Sequence, residues 1–173
     1  MKIFLLILAM LLALTGCGAQ PTFETLGDNH EQPVVAQAQK IWTQLPEDAQ
    51  MQTLGSEDSG ELYFCGDMTV SMQTLDGGDL DRTLRTATGF GKDQVCMMES
   101  YSPYGKCYEC VWTAAGEGGM QVGRTRIIDD GNYHYTLSVM VPEESAGELQ
   151  TDMRLILDSF SLVDSEYSIN TGS

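Results

Sequence analysis

The chain runs to 173 residues, with nine Lys and Arg against 25 Asp and Glu, a formal charge of −16 at neutral pH. Phosphates reward Lys and Arg, so this balance excludes nucleic acid as a partner, and it argues against lying flat on anionic lipid. The length suits one domain with a real hydrophobic core.

In chain order, Ile3 to Leu14 is an unbroken run of twelve apolar residues behind Met1 and the cationic Lys2. A membrane-crossing helix needs about 20, so the run is too short to span. A charged end, a short apolar core and small residues at a cut site describe an export signal instead. The cut site, Leu14-Thr15-Gly16-Cys17, resembles the lipobox of bacterial lipoproteins. That resemblance implies residues 1–16 as signal peptide, cleavage before Cys17 and a diacylglyceryl group on its sulfur. It also implies anchorage at the outer face of a bacterial cell membrane. Firm anchoring takes two acyl chains, at ~0.8 kcal/mol per buried CH₂, and a diacylglyceryl group carries both. The alternative is an ordinary secretory signal with a coincidental cysteine. Without Lys2, eight basic residues face 25 acidic ones, about −17 for the exported chain.

Residues 18–33, GAQPTFETLGDNHEQP, hold two prolines and little apolar periodicity. With Cys17 they read as a flexible tether over residues 17–32. One folded domain is expected over residues 33–162, then a loose tail over residues 163–173. In VVAQAQKIWTQLPED, Val34, Ala38, Ile41 and Leu45 match a helix face, whereas Ile41 to Leu45 equally suits a short strand. Pro46 ends either one.

ELYFCG and MTVSMQTL are rich in aromatic and β-branched residues and are separated by a Gly-Asp step, which predicts two strands. After DGG, the stretch DLDRTLRTATGF predicts a short helix capped by Asp79, with Leu80 and Leu84 facing inward and Gly89 ending it. DQVCMMESY and CYECVWTAA flank SPYG, where Pro103 suits the second position of a type I turn and Gly105 can take positive φ. MQVGRTRII and YHYTLSVMV flank DDGN, a strong tight-hairpin signal. In the last strand Tyr133, Tyr135, Leu137 and Val139 share one face, and His134, Thr136, Ser138 and Met140 the other. Neither face is strongly polar, so this strand is expected to be central and covered on both sides. Beyond Val141-Pro142, Ser145 and Glu148 form an S-x-x-E capping box. Leu149, Met153, Ile156 and Phe160 then make one helical face. The expected class is α+β: a mostly antiparallel sheet with helices on both faces.

Four cysteines remain after the anchor, Cys65, Cys96, Cys107 and Cys110. An even number in an exported chain favours disulfides, and four permit three pairings. Cys107 and Cys110 lie ~10 Å apart on an extended strand, beyond the ~7 Å a disulfide allows, so a bridge between them requires a turn. With Gly105 in a bulge, Ser102 faces Lys106 and Cys96 falls opposite Trp112, diagonal to Cys110. A register shift of one pair would set Cys96 opposite Cys110. A 96–110 bond is preferred, the others remaining open. Cys107-Tyr-Glu-Cys110 also matches the CxxC of thiol-redox proteins. That chemistry wants a helix N-terminus or a nearby cation, whereas these flanks are strand-like and Glu109 disfavours a thiolate. A four-cysteine zinc site usually pairs two CxxC motifs, and one is present.

Asp76, Asp79 and Asp81 in LDGGDLD are the best acidic cluster for calcium, a cation that seeks carboxylates. They lack the spacing and closing Glu of an EF-hand, and solubility on an outer surface is the simpler reading of the acidity. The histidines are His30 in the tether and His134 in a strand, where a lone histidine is most often a packed, hydrogen-bonded residue. GEGGM lacks the following helix and Lys-Ser/Thr of a phosphate loop. Met97, Met98 and Met120 suit core gaps better than a metal site.

The element order, with GDLDRTLRTATGF, YHYTLSVMVPEE and a helix closing on ILDSFSL, resembles lipoproteins of anaerobic Gram-positive bacteria with a PsbP-like α/β/α sandwich. That fold is shared with the Ran-binding Mog proteins. The resemblance covers roughly residues 33–162, and the closing aliphatic-Asp-Ser-Phe-x-Leu phrase is its most telling part. It implies a non-catalytic subunit that binds and steadies larger assemblies, with no cofactor. No residue here carries over a photosystem or Ran-binding site. The expected partners are the membrane, through Cys17, and another envelope protein or a small ligand. A thiol-active envelope protein using Cys107 and Cys110 is the alternative.

Overall fold

The computed structural model describes residues 37–53, 60–116 and 118–163. The expected signal, Cys17, the tether with His30 and all but the first residue of the expected tail lie outside them. The strands are β1 (Lys40–Trp42), β2 (Gln50–Thr53), β3 (Gly60–Cys65), β4 (Met68–Asp76), β5 (Cys96–Ser102), β6 (Gly105–Gly116), β7 (Gly119–Asp129), β8 (Tyr133–Pro142) and β9 (Ser161–Val163). The helices are α1 (Leu80–Thr88) and α2 (Gln150–Asp158).

Seven strands form one antiparallel sheet in the order β2-β3-β4-β8-β7-β6-β5, and β1 pairs separately with β9. Most neighbours are consecutive in the chain, and β3–β4, β5–β6, β6–β7 and β7–β8 are each joined by a short connection. The long-range step is β4 against β8, which sets Val70 opposite Val139 and Met72 opposite Leu137. The strand expected to be central is therefore central.

Along β8 the side chains alternate between two packings. Tyr135, Leu137, Val139 and Val141 cluster with Val70 and Met72 of β4 and with Met153, Ile156 and Leu157 of α2. His134, Thr136 and Ser138 are also buried and, by the two-residue period of a strand, project the other way. Leu84 of α1 packs in a second cluster with Tyr108, Cys110 and Ile127. Several polar groups there pair with one another, as burial demands, although Gln73 Oε1 is buried without a partner among the described residues. Thr83 Oγ1 lies 2.6 Å from His134 Nδ1, and the hydroxyls of Thr125 and Ser138 lie 2.8 Å apart. Trp112 Nε1 donates to Thr125 Oγ1 at 3.0 Å, and Thr136 Oγ1 donates to Gln73 O at 3.3 Å.

α1 forms where its local signals put it. Asp79 Oδ1 accepts from the Arg82 N–H at 3.1 Å. Gly89, at φ 82°, takes the left-handed closing position that a side chain would resist. The start of α2 departs from expectation. Glu143–Ser145 is a 3-10 turn, and Leu149 holds the N-cap position with no side-chain cap bond. The Ser145–Glu148 capping box does not form, because Ser145 instead donates to Asp67 Oδ2 at 3.4 Å and the chain spends residues 143–149 turning. Met153, Ile156 and Leu157 are buried as a helical stripe, while Phe160 is buried just beyond the helix.

Long-range pairing settles one open choice, between helix and strand at Ile41, and produces one further departure. Ile41 lies in a strand, since β9 arrives from the C-terminus to set Leu162 opposite it. The β5–β6 hairpin sets Ser102 opposite Gly105 and Tyr101 opposite Lys106, without the expected bulge. Gly105 adopts φ 141° against the Asp129 carbonyl oxygen, where a Cβ would collide, so it lies in the ladder and Pro103-Tyr104 alone make the loop.

Leu84→Ala removes a fully buried side chain and should lower the unfolding free energy by ~2–5 kcal/mol in denaturant titrations. Leu155→Ala, at a half-exposed position of α2, should change it by less than about 0.5 kcal/mol.

Candidate functional site

The register of β5, β6 and β7 decides what the cysteines can do. All four described cysteines carry free thiols. Cys107 faces Ser100 and Ile128, and Cys110 faces Met97 and Thr125. Three residues apart on one strand, their side chains leave from opposite sides of the sheet. Cys96 lies opposite Val111, so it too projects away from the side that Cys110 occupies. The preferred 96–110 bond is thereby excluded although the residues are near neighbours, since disulfides need converging Cβ vectors. Cys96 sits four residues from Ser100, the partner of Cys107, or ~13 Å along the strand. Cys65 ends β3, and β4, β8 and β7 separate it from β6, ~19 Å at the usual strand spacing. No pairing among the four has disulfide geometry.

Burial pushes the Cys110 thiol up to about 11. Burial also raises Cys107, against a Ser100 hydrogen bond and the Arg126 charge, which pull it down. Cys65 is raised by burial and then by the charge of Asp48. A redox cysteine needs the opposite shift, so the CxxC motif is packing rather than chemistry.

The other candidates are engaged as well. Asp79 caps α1, and Asp81 accepts from the Lys92 N–H at 2.7 Å and from Arg85 Nε at 2.8 Å. Asp76 ends β4 opposite Tyr133. Among the described residues, no three His, Cys, Asp or Glu gather in a way that could hold a metal. His134 is buried against Thr83, with Asp129 Oδ2 at 3.6 Å.

A charged cluster that spacing alone did not reveal lies beside α2. Glu109 on β6 accepts from Arg124 Nη2 at 2.7 Å through one oxygen and from Arg126 Nη2 at 2.8 Å through the other. Arg126 also donates to Leu157 O at 2.6 Å and to Asp158 Oδ1 at 3.0 Å. A cation at the C-terminal carbonyls of a helix is favoured by the helix dipole. This cluster ties α2 to β6 and β7, and its arginines are occupied.

One open groove, of about 490 Å³, lies between α2, the β3–β4 hairpin and the β1–β2 connection, lined by Leu45, Pro46, Met68, Ile156 and the carboxylates Asp48 and Asp152 among others. Asp152, Leu155 and Ile156 share a face of α2 through the i, i+3, i+4 relation. Cys65 and Met68 oppose each other across the last rung of the hairpin. Thr43 Oγ1 donates to Ile156 O at 2.7 Å, and the Gln44 N–H donates to Ser159 Oγ at 2.8 Å. Those bonds hold the connecting loop against α2 and fix that wall of the groove.

With this geometry in view, no family model and no curated protein matches the sequence. Among solved structures, the chain is similar to the solution structure of cyanobacterial PsbP (CyanoP) from Synechocystis, with a TM-score of 0.52 at 9% identity over 75% of this chain and 95% of that one. The fold is PsbP-like. A protein from Bacteroides thetaiotaomicron gives a TM-score of 0.49 at 15% identity, over 73% of this chain and 46% of its own. The chain thus spans less than half of that protein. LpqN, involved in cell envelope biogenesis of Mycobacterium tuberculosis, gives 0.44 at 12% identity, over 78% and 87%. At such identities a PsbP-like likeness shows the fold and transfers no site.

Sequence reasoning placed Leu45 and Ile156 on inward faces but did not join them into a groove. Leu45 and Asp48 share the β1–β2 connection, but Met68 comes from β4 and Ile156 from α2, and no spacing links those three segments.

In the folded Cys17→Ser chain, which keeps four cysteines, the exposed Cys96 should react with an aromatic disulfide reagent at pH 8 within minutes, while the buried Cys65, Cys107 and Cys110 wait for unfolding. Four fast thiols, or fewer than four after unfolding, would contradict this packing. Glu109→Ala should cost ~2–4 kcal/mol of stability in denaturant titrations, a buried-pair penalty reduced because Arg124 and Arg126 keep some solvent contact.

Proposed function

We propose that the protein is an extracytoplasmic lipoprotein, anchored by an acylated Cys17, that works as a non-catalytic binding module with its ligand seat in the groove beside α2. The groove is the observation that carries the binding part of this reading. It has the volume of small-molecule sites, and its walls are held in place by protein hydrogen bonds. The side chains with chemical potential elsewhere, the CxxC cysteines and His134, serve as packing.

The anchoring part rests on the sequence. Leu14-Thr15-Gly16-Cys17 follows a twelve-residue apolar core, and the lipoproteins of anaerobic Gram-positive bacteria supply the resemblance. The same reading makes the domain an α/β/α sandwich. Supporting it, α1 packs through Leu84 with Ile127, while α2 packs through Ile156 and Leu157 with its chain neighbour Ile128. The partner would be another envelope protein or a small ligand reaching the outer face of the membrane.

Cys17→Ser tests the anchor. In a bacterial host fed an alkyne-tagged palmitate, the wild-type chain should take the label, lose residues 1–16 and sediment with membranes. The variant should stay unlabelled and uncleaved. A variant processed and retained like wild type would sink the lipoprotein reading.

A further inference from the structure

Resting on the reading that the groove is the ligand seat, we propose that it binds an organic ammonium ion, with Asp48 and Asp152 receiving the cation and the apolar floor receiving its hydrocarbon body. The charge follows from the lining. Two carboxylates, Asp48 and Asp152, border the groove, and none of the described residues lining it is basic. The −16 charge of the whole chain adds in the same direction, since a strongly acidic protein raises the local concentration of cations. An anion would meet this field with no basic side chain among the described residues that line the groove.

The hydrocarbon body follows from the floor. Leu45, Pro46, Met68 and Ile156 line the groove, and Leu155 stands 59% exposed on α2 at its border. A bare metal ion has no use for such a surface, and among the described residues no third carboxylate joins the two to complete a coordination shell. A ligand with one cationic end and an apolar remainder answers both features. A methionine such as Met68 also adapts its shape to a varied apolar partner. The available volume, about 490 Å³, suits a drug-sized molecule.

The test uses the mature chain with Cys17→Ser and ¹³C-labelled Met, Leu and Ile methyl groups. It is titrated separately with octylammonium, octanoate and neutral octanol below their aggregation concentrations. Octylammonium should shift the methyls of Met68, Leu155 and Ile156 at concentrations where octanoate leaves them in place. The Asp48→Asn, Asp152→Asn double variant should weaken that binding by roughly three- to tenfold at low salt. The loss should shrink in 0.5 M salt, as exposed charges are screened. If octanol or octanoate shifts the same methyls as strongly, the ammonium assignment is overturned while the groove remains a ligand seat. If none of the three shifts them, both readings fall together. Shifts that follow protein concentration alone would make a second copy the occupant. Contacts from residues 17–36 to Met68 without ligand would make the chain its own occupant. Either result overturns the proposal.

Discussion

A strand whose side chains are buried on both sides must satisfy two separate packings at a two-residue period, and β8 is in that position from His134 to Val139. One set, Tyr135, Leu137 and Val139, is aromatic or aliphatic and meets α2. The other, His134, Thr136 and Ser138, is polar and had to be given partners within the fold. It finds them in Thr83 of α1, Gln73 of β4 and Thr125 of β7. A one-residue slip of β8 would exchange the two sets, leaving hydroxyls among aliphatic side chains. The pairing of β8 with β4 and β7 is thus held by hydrogen bonds and by hydrophobic burial at once.

The two helices depend on this strand differently. α1 carries its own boundaries in Asp79 and Gly89, and its inward stripe is short. α2 lacks a capping side chain at its start and is held by its neighbours. Leu157 is buried beneath it, and Arg126 binds its last turn while sharing Glu109 with Arg124. The β1–β2 connection is in turn bonded to that same last turn through Ile156 O and Ser159 Oγ. The wall of the groove therefore rests on α2, and α2 rests on β8 and the Glu109 cluster.

Side chains with reactive groups are placed where burial makes them poor at chemistry. Cys110 lies under Leu84, Cys107 lies beside the Glu109 cluster, and His134 is held between Thr83 and Asp129. The groove, by contrast, keeps its carboxylates at the solvent side and its hydrocarbon at the base.

By itself the sequence determined what depends on near neighbours. The Asp79 and Gly89 caps, the Gly66-Asp67 and Asp130-Gly131 turns, and the alternation of Tyr135, Leu137 and Val139 all act within a few residues of chain. The twelve-residue apolar run before Cys17 is likewise a purely local pattern. Only the tertiary structure decided the rest. Ile41 became a strand because Leu162 came to meet it, and β2 formed because β3 offered an edge. Ser145 turned to Asp67 and left its capping box unmade. The Asp129 carbonyl pressed Gly105 into the ladder and so moved Cys96 from Trp112 to Val111, away from any disulfide. Each of these outcomes turns on a partner far away in the chain, and residue spacing carries no information about which distant strand arrives or in what register.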